Sequence, residues 1–244
     1  MKNGKIKQIL LLTDGCSNHG EDPIAVAALA YNQGVTVNVI GVLDDTQTEQ
    51  PKGLDEVESI AEAGGGVSQI VYQKALSQTV QMVTRQAMTQ TLQGVVNQEL
   101  QEILGKGQTL EDLPPEQRGE VMEVVDDLGE TSQLEVLVLV DTSASMQHKL
   151  PTVKDALLDL SLSLNARTGK NSFSVYTFPH KKKTISQLVA WTPDLDAIDK
   201  VFPKISSGGM TPTGPALKES LYQFGKKRLF RGMRNDEPFE ESGS

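Results

Sequence analysis

Five residues in three short segments carry side chains that could do chemistry together. They are Asp14 in LLLTDG (10–15), Asp141, Ser143 and Ser145 in DTSASM (141–146), and Thr211 in GGMTPTGPAL (208–217). All five present oxygen and none offers a soft donor. A few carboxylates joined by neutral oxygens suit a hard divalent cation; Mg²⁺ is expected, with Mn²⁺ or Ca²⁺ as alternatives. Each aspartate ends a dense apolar run, IKQILLLTD (6–14) and LEVLVLVD (134–141). If those runs are neighbouring parallel strands, both carboxylates reach one crevice outside the strands' carboxyl ends, where open α/β sheets bind ligands.

Other chemistries fit the same residues less well. A haloacid-type phosphatase needs a second aspartate two positions after the first, and an aspartic protease needs glycine there; Ser143 stands at that position. A serine hydrolase wants a G-x-S-x-G elbow, which is absent. His19, His148 and His180 have no metal-ligand spacing, and AGGGVS (63–68) lacks the lysine of a phosphate-cradling loop. No lysine that could grip a phosphate is expected near the site, so a Mg²⁺-dependent hydrolase or phosphotransferase using Asp141 is the alternative reading. A plainer one is that Asp141, Ser143 and Ser145 only cap the helix that follows and satisfy loop backbone groups.

The elements that must position these residues alternate. Apolar runs at 6–12, 35–43 and 67–73 read as buried strands. Between them stand helices over 22–34, with Asp22 as N-cap and Pro23 at the first helical position, and over 53–66. From 75 to 104 the residues Leu76, Val80, Val83, Ala87, Leu92, Val95, Leu100 and Ile103 form one helical stripe, expected to pack under the sheet. An acidic stretch holding a short amphipathic helix follows. Strands over 134–140, 171–178 and 185–191 and helices over 151–168, 194–205 and 212–224 complete the alternation, and residues 226–244 lack sustained periodicity. The pattern predicts an α/β fold with a Rossmann-like, doubly wound, mostly parallel sheet flanked by helices.

A chain of 244 residues is long enough for one large domain. Its formal net charge of −9 argues against general nucleic-acid affinity, which needs a basic face. No run approaches a membrane span, the first residues carry too short an apolar run for a signal peptide, and a single cysteine, Cys16, rules out an internal disulfide framework. The expected address is cytoplasmic. Cys16 itself is read as a small, partly buried loop residue.

The three motifs resemble those of von Willebrand factor A (vWA) domains of the bacterial cytosolic type. DTSASM looks like the D-x-S-x-S signature, GGMTPTGPAL is similar to the threonine loop, and LLLTDG resembles the later aspartate-bearing strand. In that family these pieces form a metal-ion-dependent adhesion site (MIDAS). The resemblance implies that Ser143, Ser145 and Thr211 ligate the cation directly, and Asp141 and Asp14 directly or through water. It further implies a metal-dependent module, not an enzyme, that binds a protein partner presenting an Asp or Glu. Here, however, the T-D-G strand precedes D-x-S-x-S, where the family has it last. The order reads as a circular permutation: residues 1–85 supply the C-terminal half of the domain, 86–133 a helical connector, 134–225 the N-terminal half and 226–244 a flexible tail. The halves could pair within a monomer or across a swapped dimer. A scaffold acting through the long helix, with a purely structural metal, is a further alternative.

Overall fold

The computed structural model describes residues 5–15, 17–44, 54–104, 109–180 and 183–234. In chain order the elements are β1 (Lys5–Thr13), α1 (Pro23–Asn32), β2 (Thr36–Leu43), α2 (Leu54–Ala63), β3 (Gly65–Tyr72) and α3 (Leu76–Leu104). They continue with α4 (Pro115–Thr131), β4 (Gln133–Asp141), α5 (Leu150–Asn165), β5 (Asn171–Phe178), β6 (Ser186–Thr192), α6 (Ile198–Val201) and α7 (Thr213–Arg234). The strands form one sheet in the order β3-β2-β1-β4-β5-β6, parallel except for the antiparallel edge strand β6. The α/β, mostly parallel architecture expected from the alternation is the one observed.

Helices cover both faces, which is why the strands read as unbroken apolar runs. Alternation within β4 sorts its side chains: Leu134, Val136, Val138 and Val140 face the layer of α3 and α5, whereas Leu137 and Leu139 face α1, α2 and α7. Asp22 caps α1 by accepting the Ile24 N–H at 3.0 Å, with Pro23 next to it as expected. The stripe on α3 buries Leu76, Val80, Val83, Ala87 and Leu92 in the first layer. It then turns: Val95, expected on that face, is 54% exposed and Val96 packs instead. Most of the apolar face on which a scaffold role for the long helix would rest is therefore spent inside the fold.

One polar thread crosses this layer. Asn38 donates to Gln8 Oε1 at 3.1 Å and accepts the Val67 N–H at 3.0 Å, while Gln8 donates to the Thr84 carbonyl at 3.3 Å, tying β1, β2, β3 and α3 together. All three polar side-chain bonds lie in the interior, where a missing partner would be costly.

The segment from 226 was expected to be a flexible tail. Instead α7 continues to Arg234, and 235–244 lie outside the described residues, as does Cys16. Helix propensity of the Lys- and Arg-rich stretch, with the helix already nucleated upstream, carries it on without an apolar stripe.

What matters for function is the centre of the sheet. From β1 the chain winds outward through β2 and β3; from β4 it winds the other way through β5 and β6. The carboxyl ends of β1 and β4 are thus the switch point of strand order, where an open sheet leaves a crevice.

Candidate metal centre

β1 and β4 run in register to Leu12 and Val140, so Thr13 and Asp14 leave the sheet beside Asp141. Asp141 is fully buried and forms the floor. Its Oδ1 accepts the Ser143 N–H at 2.8 Å and its Oδ2 accepts the Thr13 hydroxyl at 2.8 Å. Burial pushes this carboxyl up from 3.8 to about 6; the charge of Asp14 adds to the effect and the bonds from Ser143 and Thr13 oppose it.

Asp14 forms the adjoining wall. Its Oδ1 accepts the Ser145 hydroxyl at 2.8 Å and its Oδ2 accepts the Lys149 ammonium at 2.6 Å. Ser143 Oγ and Ser145 Oγ are 3.2 Å apart, and Ser145 stands exposed at the rim. A short 3-10 segment over Ala144–Met146, with Ser143 at its N-cap and Ser145 inside it, brings both serines to one side of the loop.

The third loop is sewn to the other two through its backbone. Thr211 donates its N–H to Asn18 Oδ1 at 2.8 Å and its carbonyl accepts the Asn18 N–H at 3.1 Å, while the Gly208 N–H reaches the Thr142 carbonyl at 2.9 Å. Gly208 does so at a φ of +140, open only to glycine at low cost. Gly214 lets the start of α7 approach the loop after β1: a Cβ there would lie 1.9 Å from the Glu21 carbonyl oxygen. Thr211 itself is 6% exposed. The structure therefore links Asp14, Asp141, Ser143 and Ser145 by side-chain bonds and lays the Thr211 loop against both of their loops.

The helix-capping explanation holds for one residue only. Asp141 does satisfy a loop N–H, but Ser143, at the N-cap of the 3-10 turn, makes no side-chain cap bond. Several residues escaped sequence reasoning. Thr13 and Asn18 act through contacts between loops that no local pattern marks. Thr213 Oγ1, at the head of α7, is the only buried side-chain oxygen or nitrogen without a hydrogen-bond partner among the described residues. Lys149 is a further residue missed, a lysine at the site: it is 3% exposed and bonded to Asp14. The available signal was its place at the entry to α5, where a positive charge meets the wrong end of the helix dipole. His148, which follows the same loop, instead meets Asp44 Oδ2 at 2.6 Å on the surface.

The donor set fits a hard cation. Ser145 gives its proton to Asp14, so its oxygen lone pairs stay available, and Ser143 stands beside it. Among the described residues no cluster of three His, Cys, Asp or Glu forms an alternative metal site. With only two acids, any cation here depends on hydroxyl oxygens, which is the chemistry of the two serines and Thr211.

The von Willebrand factor type A domain model matches residues 135–237. An uncharacterized protein of Bacillus subtilis (strain 168), YabS, is 61% identical over the whole length of both chains. The crystal structure of an uncharacterized protein from Alicyclobacillus acidocaldarius is 41% identical and superposes with a TM-score of 0.82, covering 95% of this chain and 96% of that one.

Proposed function

The chain belongs to the von Willebrand factor type A family, and from that premise we propose that it is a metal-dependent protein-binding module whose cation site is built by Asp141, Ser143, Ser145, Thr211 and Asp14. The observation that carries this reading is the meeting of three loops, distant in sequence, at the switch point of the sheet. Ser143, Ser145 and Thr211 would offer neutral oxygens. Asp141, anchored by Thr13 and by the Ser143 N–H, would hold the serine loop and neutralise charge from below. Asp14 orients Ser145. A divalent cation held there, Mg²⁺ in the first place and Mn²⁺ or Ca²⁺ otherwise, would supply an open coordination position for an Asp or Glu of a partner protein.

Circular permutation is part of the same proposal. The family match begins at the D-x-S-x-S strand and runs to the end of α7, while the T-D-G strand stands before it. β1 nevertheless pairs with β4 along eight residues, Lys5 to Leu12 against Gln133 to Val140. The acidic helix α4 and the long α3 then join what would be the old chain ends, a cheap linkage when termini lie near one another.

Lys149 gives the hydrolase or phosphotransferase reading a feature that the sequence had not suggested. It remains the weaker reading for a physical reason. A nucleophilic Asp141 would need a reachable oxygen, but it is fully buried and both its oxygens accept bonds. Turnover of a generic phosphate ester that is lost in Asp141→Asn would reverse that preference.

The test of the main reading is thermal unfolding with and without millimolar Mg²⁺ or Mn²⁺, on the wild type and on Asp14→Ala and Asp141→Ala separately. Stabilisation of the wild type, lost in each variant, is the expected result. No response of the wild type to either metal would refute it. The partner step is read from the fraction of partner retained by the immobilised protein: it should fall in EDTA and return with Mg²⁺.

A further inference from the structure

Lys149 brings a positive charge into a site built of oxygens. Its place there is costly on three counts. The side chain is 3% exposed, so the ammonium has lost its water. It occupies the N-cap of α5, where side chains that accept a hydrogen bond are favoured and it makes no side-chain cap bond. The dipole of α5 disfavours a cation at that end. What it gains is Asp14 Oδ2 at 2.6 Å.

We propose that Lys149 is a tethered cation that competes with the divalent metal for Asp14, so that metal loading releases its ammonium from the site. The proposal rests on the metal-site reading above and adds what sets the site's affinity. Both oxygens of Asp14 are engaged, Oδ1 by Ser145 and Oδ2 by Lys149. A divalent ion beside Ser143 and Ser145 would share that carboxylate with an ammonium in a poorly screened pocket, and like charges at such range repel strongly. Ser145 need not move, since it donates its proton and keeps its lone pairs. The backbone of Lys149 is fixed, its N–H donating to the Met146 carbonyl at 2.9 Å and its carbonyl accepting from Val153 at 3.0 Å. Only the flexible four-carbon stem has to swing. The way out is short, because the neighbouring Gln147 and His148 are exposed.

Competition makes metal affinity lower than the oxygen set alone would give, and ties occupancy to a movement at the binding face. It also leaves the metal-free site with reduced negative charge, so that Asp14 and Asp141 can be held together without a metal ion.

Two measurements test it. The first is Mn²⁺ titration followed by the free-ion EPR signal, on the wild type and on Lys149→Met, which keeps the stem and removes the charge. Lys149→Met is expected to bind Mn²⁺ roughly tenfold more tightly. Equal or weaker binding overturns the proposal, weaker binding making Lys149 a positioning residue for Asp14. The second uses the wild type alone: acetylation by an N-hydroxysuccinimide ester, mapped by mass spectrometry, with Lys218 as the exposed reference. Lys149 should be protected without metal and labelled with Mg²⁺; protection in both states overturns the proposal. If neither protein binds Mn²⁺, the metal-site reading fails and this falls with it. If both bind equally, only the competition fails.

Discussion

Two buried cations stand at opposite ends of the central strands, and they are held by different kinds of partner. At the amino ends Arg167, 6% exposed, donates to the Gly129 carbonyl, to the Ser132 carbonyl at 3.0 Å and to Asn171 Oδ1 at 2.7 Å. It clamps the end of α4 and the entry to β4 against the entry to β5. At the carboxyl ends Lys149 touches the carboxylate of Asp14. Arg167 meets neutral oxygens, two backbone carbonyls and the side-chain amide of Asn171, in a fork geometry that only a guanidinium fills. Lys149 is a point charge on a flexible stem facing an acid that another cation could claim. Burial of a cation is therefore not a single signal: the partner's chemistry separates a clamp from a replaceable counter-charge.

The comparison breaks most visibly at the clamp. Arg167→Ala should cost about 3 kcal/mol of stability, since it strands the buried carbonyl of Ser132 and the half-buried carbonyl of Gly129. Chemical denaturation measures this, and the loss should be the same with and without Mg²⁺. A loss that changes with metal would mean that the two ends are coupled. Metal at about a hundredfold over its dissociation constant should add about 2.7 kcal/mol to the wild type, or roughly 5–10 °C in melting temperature for a chain of this size. Arg167→Ala should keep that increment, whereas Asp14→Ala and Asp141→Ala should each lose it.

The two ends also differ in how far the sequence announces them. Asp141, Ser143, Ser145, Thr211 and Asp14 were readable because each sits in a motif at the end of a strand or the start of a helix, and because strand alternation predicts where those ends lie. The sheet was readable for the same reason: strands buried on both faces leave long apolar runs, and helices with proline and glycine punctuation stand between them. Arg167 left no signal, and Lys149 only its place at the wrong end of a helix dipole. Both are ordinary basic residues in helix-flanking positions, and a lysine or arginine in such a place is usually solvated. Their burial follows from tertiary approach, Lys149 from the pairing of β1 with β4 and Arg167 from the packing of α4 against the strand entries. The extension of α7 to Arg234 and the turn of the α3 stripe at Val95 were missed on the same ground, since neither leaves a periodic trace.

Smaller effects sharpen the distinction at the carboxyl end. Thr211→Ala removes one hydroxyl while leaving both backbone bonds to Asn18, which the substitution does not touch. Its stability should stay within about 1 kcal/mol of the wild type. Its Mn²⁺ dissociation constant should rise roughly tenfold, equivalent to about 1.4 kcal/mol. Titration calorimetry with thermal unfolding on the same sample separates the two numbers. Unfolding without a change in affinity would place Thr211 among the structural residues, beside Arg167.

The least effect should come from the residue nearest Lys149 in sequence. His148 turns away from the site to Asp44 at the end of β2, and its side chain is 53% exposed. A contact so placed is screened by water and pays for ordering two side chains, so His148→Ala should change stability by no more than about 0.5 kcal/mol. Its Mn²⁺ affinity should match the wild type, in contrast to Lys149→Met one position on. Equality would show that the charge facing Asp14 matters and not the mere addition or removal of a basic residue at this rim. If His148→Ala instead tightened Mn²⁺ binding as much as Lys149→Met, the local field of the loop as a whole, and not the contact at Asp14 Oδ2, would be what governs the metal.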